Sequence, residues 1–110
     1  MIKITIWKTI NNDIIEYLVN GHSTEEATLS GDKYCAAVSS LTQVAARGIQ
    51  NVANLNCSIQ SASGHFHLRL IDHPNRESNA ILLTMVMGLK ELHYLNPNAV
   101  EVIINTIANV

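Results

Sequence analysis

Ile2, Ile4 and Ile6 alternate with Lys3, Thr5 and Trp7 at the start of the chain, and this period of two constrains the fold more than any other stretch. A strand of that pattern buries one face and leaves the other polar. The fold must therefore cover one side of a sheet, and the covering elements have to come from the rest of the chain.

Asn11-Asn12-Asp13 reads as a turn. Ile14 to Val19 then forms a second strand, with Ile15, Tyr17 and Val19 on one face. The two strands make an antiparallel hairpin that delivers the chain to Asn20-Gly21-His22. Ser23 to Gly31 is polar and without period, the pattern of a mobile surface loop. A helix is predicted from about Lys33 to about Asn51, with Asp32 as its N-cap. Its apolar stripe is Ala37, Val38, Leu41, Val44, Ala45, Ile49 and Val52.

Cys57 to Gln60 is a short strand, turned at Ser63-Gly64 into His65 to Ile71. Phe66, Leu68 and Leu70 share one face of that second strand, and His65, His67 and Arg69 the other. A second helix runs from about Arg76 to Leu95, with Ile81, Leu82, Met85, Val86, Leu89 and Leu92 set against the sheet. Asn96-Pro97-Asn98 stops it, and Val100 to Thr106 closes as a last strand. The order ββαββαβ predicts an α+β fold: a two-layer sandwich of a mostly antiparallel sheet with two helices on one face. The 110 residues make a single domain, 1–110.

Charge narrows the function classes. Seven basic residues stand against nine acidic ones, spread along the chain. No Lys/Arg run offers a phosphate-binding stripe, so direct nucleic-acid binding is not expected. The longest apolar stretch, Ile81 to Leu89, is far too short to span a bilayer, and the N-terminus lacks the apolar block of a signal peptide. A soluble, cytoplasmic protein is expected. Its two cysteines, Cys35 and Cys57, are then reduced by default.

Cys35 falls near the third position of the first helix if Asp32 is the cap. There the orphan N–H groups and the positive end of the helix dipole favour thiolate, the reactive form. The Asp32 carboxylate opposes this. The N–H groups of Cys35 and Ala36 are candidates for holding the oxyanion of a tetrahedral intermediate. Ser39, four residues on, continues a polar stripe on the same helical face. His22 ends a strand beside Gly21, where the chain must turn, and the loop that follows is long enough to bring its imidazole back to the thiol. A cysteine with a histidine in reach is the minimum for thiol-protease chemistry. A buried cysteine that merely packs, with an exposed strand-end histidine, accounts for the same residues.

The run Gly21-His22, a loop, then Asp32-Lys33-Tyr34-Cys35-Ala36-Ala37-Val38-Ser39 resembles the GH…DxxCAAVS signature of the ribosomal-processing cysteine protease family Prp, also called YsxB-like. Gly88-Leu89-Lys90-Glu91-Leu92 with Tyr94 and Pro97 is similar to that family's GLKEI…YP ending. Two departures stand out. The loop between His22 and Cys35 is about one residue longer, and Leu95 and Asn96 separate Tyr94 from Pro97.

The resemblance implies His22 and Cys35 as the catalytic pair, with Gly21, Asp32, Ala36 and Ser39 as supporting motif residues. It implies a cytoplasmic homodimer that removes the N-terminal extension of a large-subunit ribosomal protein, without a cofactor or a metal. Asp32 and Ser39 both remain candidates for orienting His22 or gripping the peptide backbone. The alternative from another class is a non-catalytic, ribosome-associated assembly module of the same fold.

Other residues carry weaker signals. His65 and His67 share a strand face, with His73 and Cys57 nearby, but zinc needs three or four converging ligands. A reversible Cys35–Cys57 pair would make the chain a redox sensor. The Met85/Met87 and Leu82/Leu83 pairs read as core or dimer surface.

Overall fold

A computed structural model describes residues 1–21 and 29–108, with the side chains of residues 29–32 outside the description. Its elements are β1 (Ile2–Thr9), β2 (Ile14–Asn20), α1 (Leu29–Asn51), β3 (Cys57–Ala62), β4 (His65–Leu70), α2 (Arg76–Leu95) and β5 (Val100–Ile107). The expected order ββαββαβ and the α+β class are both present. The sheet runs β3-β4-β2-β1-β5. Only β1 and β5 pair in parallel, and the other three ladders are antiparallel.

That order explains why both helices lie on one face. β2 and β3 are parallel to each other, as are β4 and β5, so each helix is a crossover between parallel strands. Such crossovers are right-handed. The first moves toward one edge of the sheet and the second toward the other, along strands of opposite direction. Right-handedness then puts α1 and α2 on the same side. The core lies between them and that face: Ile2, Ile4, Ile6, Tyr17, Val19 and Leu68 from the strands, Val38 and Ile49 from α1, Leu82 and Leu89 from α2. The Tyr17 hydroxyl donates to the Thr42 carbonyl at 2.7 Å, which pins α1 over β2.

The structure departs from the sequence reading in three places. In β2 it is Ile14, not Ile15, that enters the core at 2% exposure. Trp7 pairs with Glu16 but Lys8 pairs with Ile14, so Ile15 is the extra residue of a β-bulge and the alternation slips by one. In α1, Val44 and Val52 lie on the outside at 68% and 62% exposure. The helices approach through small residues instead: a Cβ added to Gly48 would lie 3.2 Å from Ile81, and one added to Gly88 3.1 Å from Leu41.

Third, α1 begins at Leu29, so Asp32 is no cap but a residue of the first turn. Leu29, Ser30 and Gly31 are helical, where a loop was expected; the rest of that loop, with His22, lies outside the described residues. α2 starts where expected, on a capping box in which the Asn75 side chain accepts from the Ser78 N–H at 2.8 Å and the Asn75 N–H donates to Ser78 Oγ at 2.9 Å.

Candidate active site

Cys35 stands where α1 passes the end of the sheet at which β2 stops and the β3–β4 hairpin turns. A cleft of about 200 Å³ opens there. One wall is the helical stripe Cys35, Ser39, Thr42 and Gln43; the other is the hairpin end, Ser61, Ala62, Gly64 and His65. The stripe follows from helical spacing, since residues four apart share a face. Cys35 and Ser39 are both reachable: the thiol is free and half-buried, and Ser39 is exposed, as is Ala36. Thr42 is buried, its hydroxyl donating to the Val38 carbonyl at 2.8 Å.

Gly21 lines the same cleft. Its N–H donates to the Gly64 carbonyl at 2.9 Å, which ties the end of β2 to the hairpin turn. Its φ is +95°, and a Cβ there would lie 2.5 Å from the Met1 carbonyl oxygen. Both features call for glycine. The residue after it is His22, so the last described residue before the imidazole already stands at the cleft that holds the thiol.

The early start of α1 changes one part of the expected chemistry. Cys35 is the seventh residue of the helix, not the third, and its N–H and that of Ala36 fall beyond the first four, which alone lack intrahelical partners. These two groups are therefore engaged inside the helix and are not the oxyanion donors. The helix end lies ~9 Å along the axis from Cys35, past the first turn where the dipole acts. Among the described residues, the polar side chains that line the cleft with Cys35 are Ser39, Thr42, Gln43, Ser61 and His65.

The two cysteines have different surroundings. Cys57 pairs with Leu70 on the helix-covered face, and burial pushes its thiol pKa up, which disfavours the reactive form. It starts β3, whereas the cleft lies at the other end of that strand, ~17 Å away at strand spacing. A Cys35–Cys57 disulfide would need the Cα atoms within about 7 Å, so this fold has no redox pair.

His65, His67 and Arg69 share the open face as the alternation predicts. His67 Nε2 lies 2.6 Å from Glu16 Oε2, and its ring stands 6.4 Å from that of Trp7. Among the described residues no three His, Cys, Asp or Glu side chains gather as a metal site; Cys57 faces the helices, away from the histidines. The sequence reading did not place His65 at the cleft. Its position beside the Ser63-Gly64 turn was the available signal; its pairing with Asn20 of β2 is seen only in the structure.

A model of the family described as Cysteine protease Prp matches residues 1–101. No curated protein matches in sequence. Solved structures share the fold. The ribosomal processing protease Prp from S. aureus with a covalently linked product peptide superposes with a TM-score of 0.86 at 22% identity, over 96% of this chain and 100% of that one. The same protease with a substrate peptide gives 0.85 at 21% identity, over 96% and 100%. SMU.848 from Streptococcus mutans gives 0.83 at 20% identity, over 97% and 99%.

Proposed function

We propose that this chain, which belongs to the cysteine protease Prp family, cleaves peptide bonds with Cys35 as nucleophile and His22 as general base and acid. The observation that carries the assignment is the shared cleft: Cys35 and Gly21, the neighbour of His22, line one cavity at the end of the sheet. His22 takes the proton of Cys35, and the thiolate attacks the scissile carbonyl carbon to form a C–S bond. The C–N bond then breaks as His22 returns the proton to the leaving amine, and water, deprotonated by His22, hydrolyses the acyl-enzyme. Ser39, one turn below Cys35, and Asp32, in the first turn of α1, are the motif residues for orienting His22 or gripping the peptide backbone.

The substrate we propose is the N-terminal extension of a large-subunit ribosomal protein, in the cytoplasm. The likeness to a ribosomal processing protease that holds a peptide supports this. No described helix is long and apolar enough to cross a membrane. A homodimer is the proposed assembly. The outer surfaces of the two helices support it, because they expose the apolar side chains of Val44, Val52, Leu83 and Met87, which an interface between copies would cover.

The test is to incubate the protein with the full-length, extended ribosomal protein of the same cell and map any new N-terminus. Cleavage is expected from the wild type and is expected to be lost in Cys35→Ala and in His22→Ala. Full cleavage by both variants refutes the mechanism. A Cys35→Ser protein that restores cell growth while cleaving nothing identifies a non-catalytic assembly module instead.

A further inference from the structure

β3 is an edge strand: it pairs with β4 on one side and with no described strand on the other. Its outward groups can be identified. The Ile71 N–H donates to the Asn56 carbonyl at 2.9 Å, and Asn56 stands opposite Ile71 in the register that continues Cys57↔Leu70. In an antiparallel ladder the bonded pairs alternate, so Ser58, Gln60 and Ala62 bond to β4. Cys57, Ile59 and Ser61 therefore turn their backbone N–H and C=O outward. The row is six residues and ~20 Å long, and it ends at the Cys35 cleft, which Ser61 and Ala62 line.

Nothing in the strand discourages pairing. Protein edges are usually protected by charge, proline or a bulge, yet Cys57-Ser-Ile-Gln-Ser-Ala has neither charge nor proline, and its register with β4 is unbroken. α1 leaves room beside it. A second cleft of about 310 Å³, lined by Gln50, Asn54 and Cys57, opens at the far end of β3, so α1 leaves an open cleft at each end of the strand. Ile59, midway along, leaves 36% of its surface exposed. The other edge, β5, lies four strands from β3, ~19 Å across the sheet, and none of its residues lines the Cys35 cleft.

We infer that the peptide substrate binds as an added strand on the free edge of β3, hydrogen-bonded to the backbones of Cys57, Ile59 and Ser61, with its scissile bond carried to Cys35 at the Ser61 end. This rests on the proposed cleavage reaction and adds to it the conformation and footprint of the substrate. Main-chain bonds give such a strand its affinity, and only alternate side chains meet the protein. A segment of about six extended residues on one side of the scissile bond is then the recognised unit.

The experiment uses a synthetic peptide of the ribosomal protein's N-terminal extension and a set of derivatives, each N-methylated at one backbone nitrogen. Binding is measured to Cys35→Ala and turnover with the wild type. The expected result is alternation: methylation at every second residue weakens binding at least tenfold, and at the residues between by less than threefold. Ser61→Pro, which removes one outward N–H without touching the β4 ladder, is expected to raise KM at least tenfold. It should leave the rate of Cys35 alkylation by iodoacetamide unchanged.

Uniform or absent methylation effects, or Ser61→Pro with a wild-type KM, overturn strand addition while leaving cleavage intact. Alternation in binding with no turnover by the wild type sinks the protease reading and keeps the docked strand. A peptide that neither binds nor is cut overturns both.

Discussion

Gly21→Ala tests the join between fold and active site. At φ +95° an L-residue pays for a left-handed backbone, roughly 1–2 kcal/mol. The new Cβ would also stand 2.5 Å from the Met1 carbonyl oxygen, when ordinary contacts begin at 3.4 Å. The obstacle is backbone, and it is held: the next N–H, that of Ile2, donates to the Ala99 carbonyl at 2.8 Å. No rotamer change can relieve the contact, so the end of β2 must move by about 1 Å, which adds about 1–2 kcal/mol of overpacking strain. The total is about 2–4 kcal/mol, and for a domain of this size the melting temperature should fall by ~10 °C or more. Urea unfolding measures the loss directly. Because the displaced segment leads into His22, kcat should also fall at least tenfold at a temperature where the variant is fully folded. Cys35 alkylation should be nearly unchanged. A stability loss under ~0.5 kcal/mol would show that the close approach to Met1 constrains nothing, and the reasoning would fail.

Two further outcomes follow from the packing. Tyr17→Phe removes the hydroxyl that reaches the Thr42 carbonyl and should cost about 1 kcal/mol. Burial, and secondarily the Cys57 charge, hold this phenol well above its ordinary pKa. The stability tied to the neutral phenol is thus complete below the unfolded value of ~10 and lost as pH rises beyond it, so wild-type urea curves should weaken above that pH more steeply than those of Tyr17→Phe. For the proposed dimer, Val44→Glu combined with Met87→Glu, at sites 68% and 65% exposed, should convert a dimer sedimentation profile to a monomer one without lowering the melting temperature of the monomer. An unchanged dimer places the interface elsewhere.

Much of the architecture was legible because one face of the sheet is buried. Alternation in Ile2, Ile4 and Ile6, and in Phe66, Leu68 and Leu70, reports a single covered side, and the stop at Asn96-Pro97-Asn98 reports the end of α2. What escaped depends on contacts between segments distant in sequence. Ile15 satisfies the alternation as well as Ile14 does; only the pairing with β1, bulged between Trp7 and Lys8, decides which one is buried. Val44 and Val52 fit a helical stripe, but the position of α2 against Gly48 determines which part of a broad apolar arc is covered. Strand order and the parallel β1–β5 pairing have no local signature at all.

The start of α1 has the largest chemical consequence. A cap at Asp32 would have made Cys35 reactive through its own helix, with oxyanion donors and dipole both supplied by the first turn. With α1 beginning at Leu29, the thiol sits on the second turn of a formed helix, and the helix supplies position and rigidity, not free N–H groups. Among the described residues, the groups left to serve the thiol are Ser39 and Gln43 on the same helical wall and the hairpin end at Ser61, Ala62, Gly64 and His65 across the cleft. A nucleophile fixed on a helix and served by a separate sheet edge requires the peptide to be held by the sheet, in register with the thiol. The Gly21–Gly64 bond joins the histidine-bearing segment to the hairpin that presents that edge. Gly21 and the β3–β4 hairpin thus share one support, and Cys35 faces them from α1.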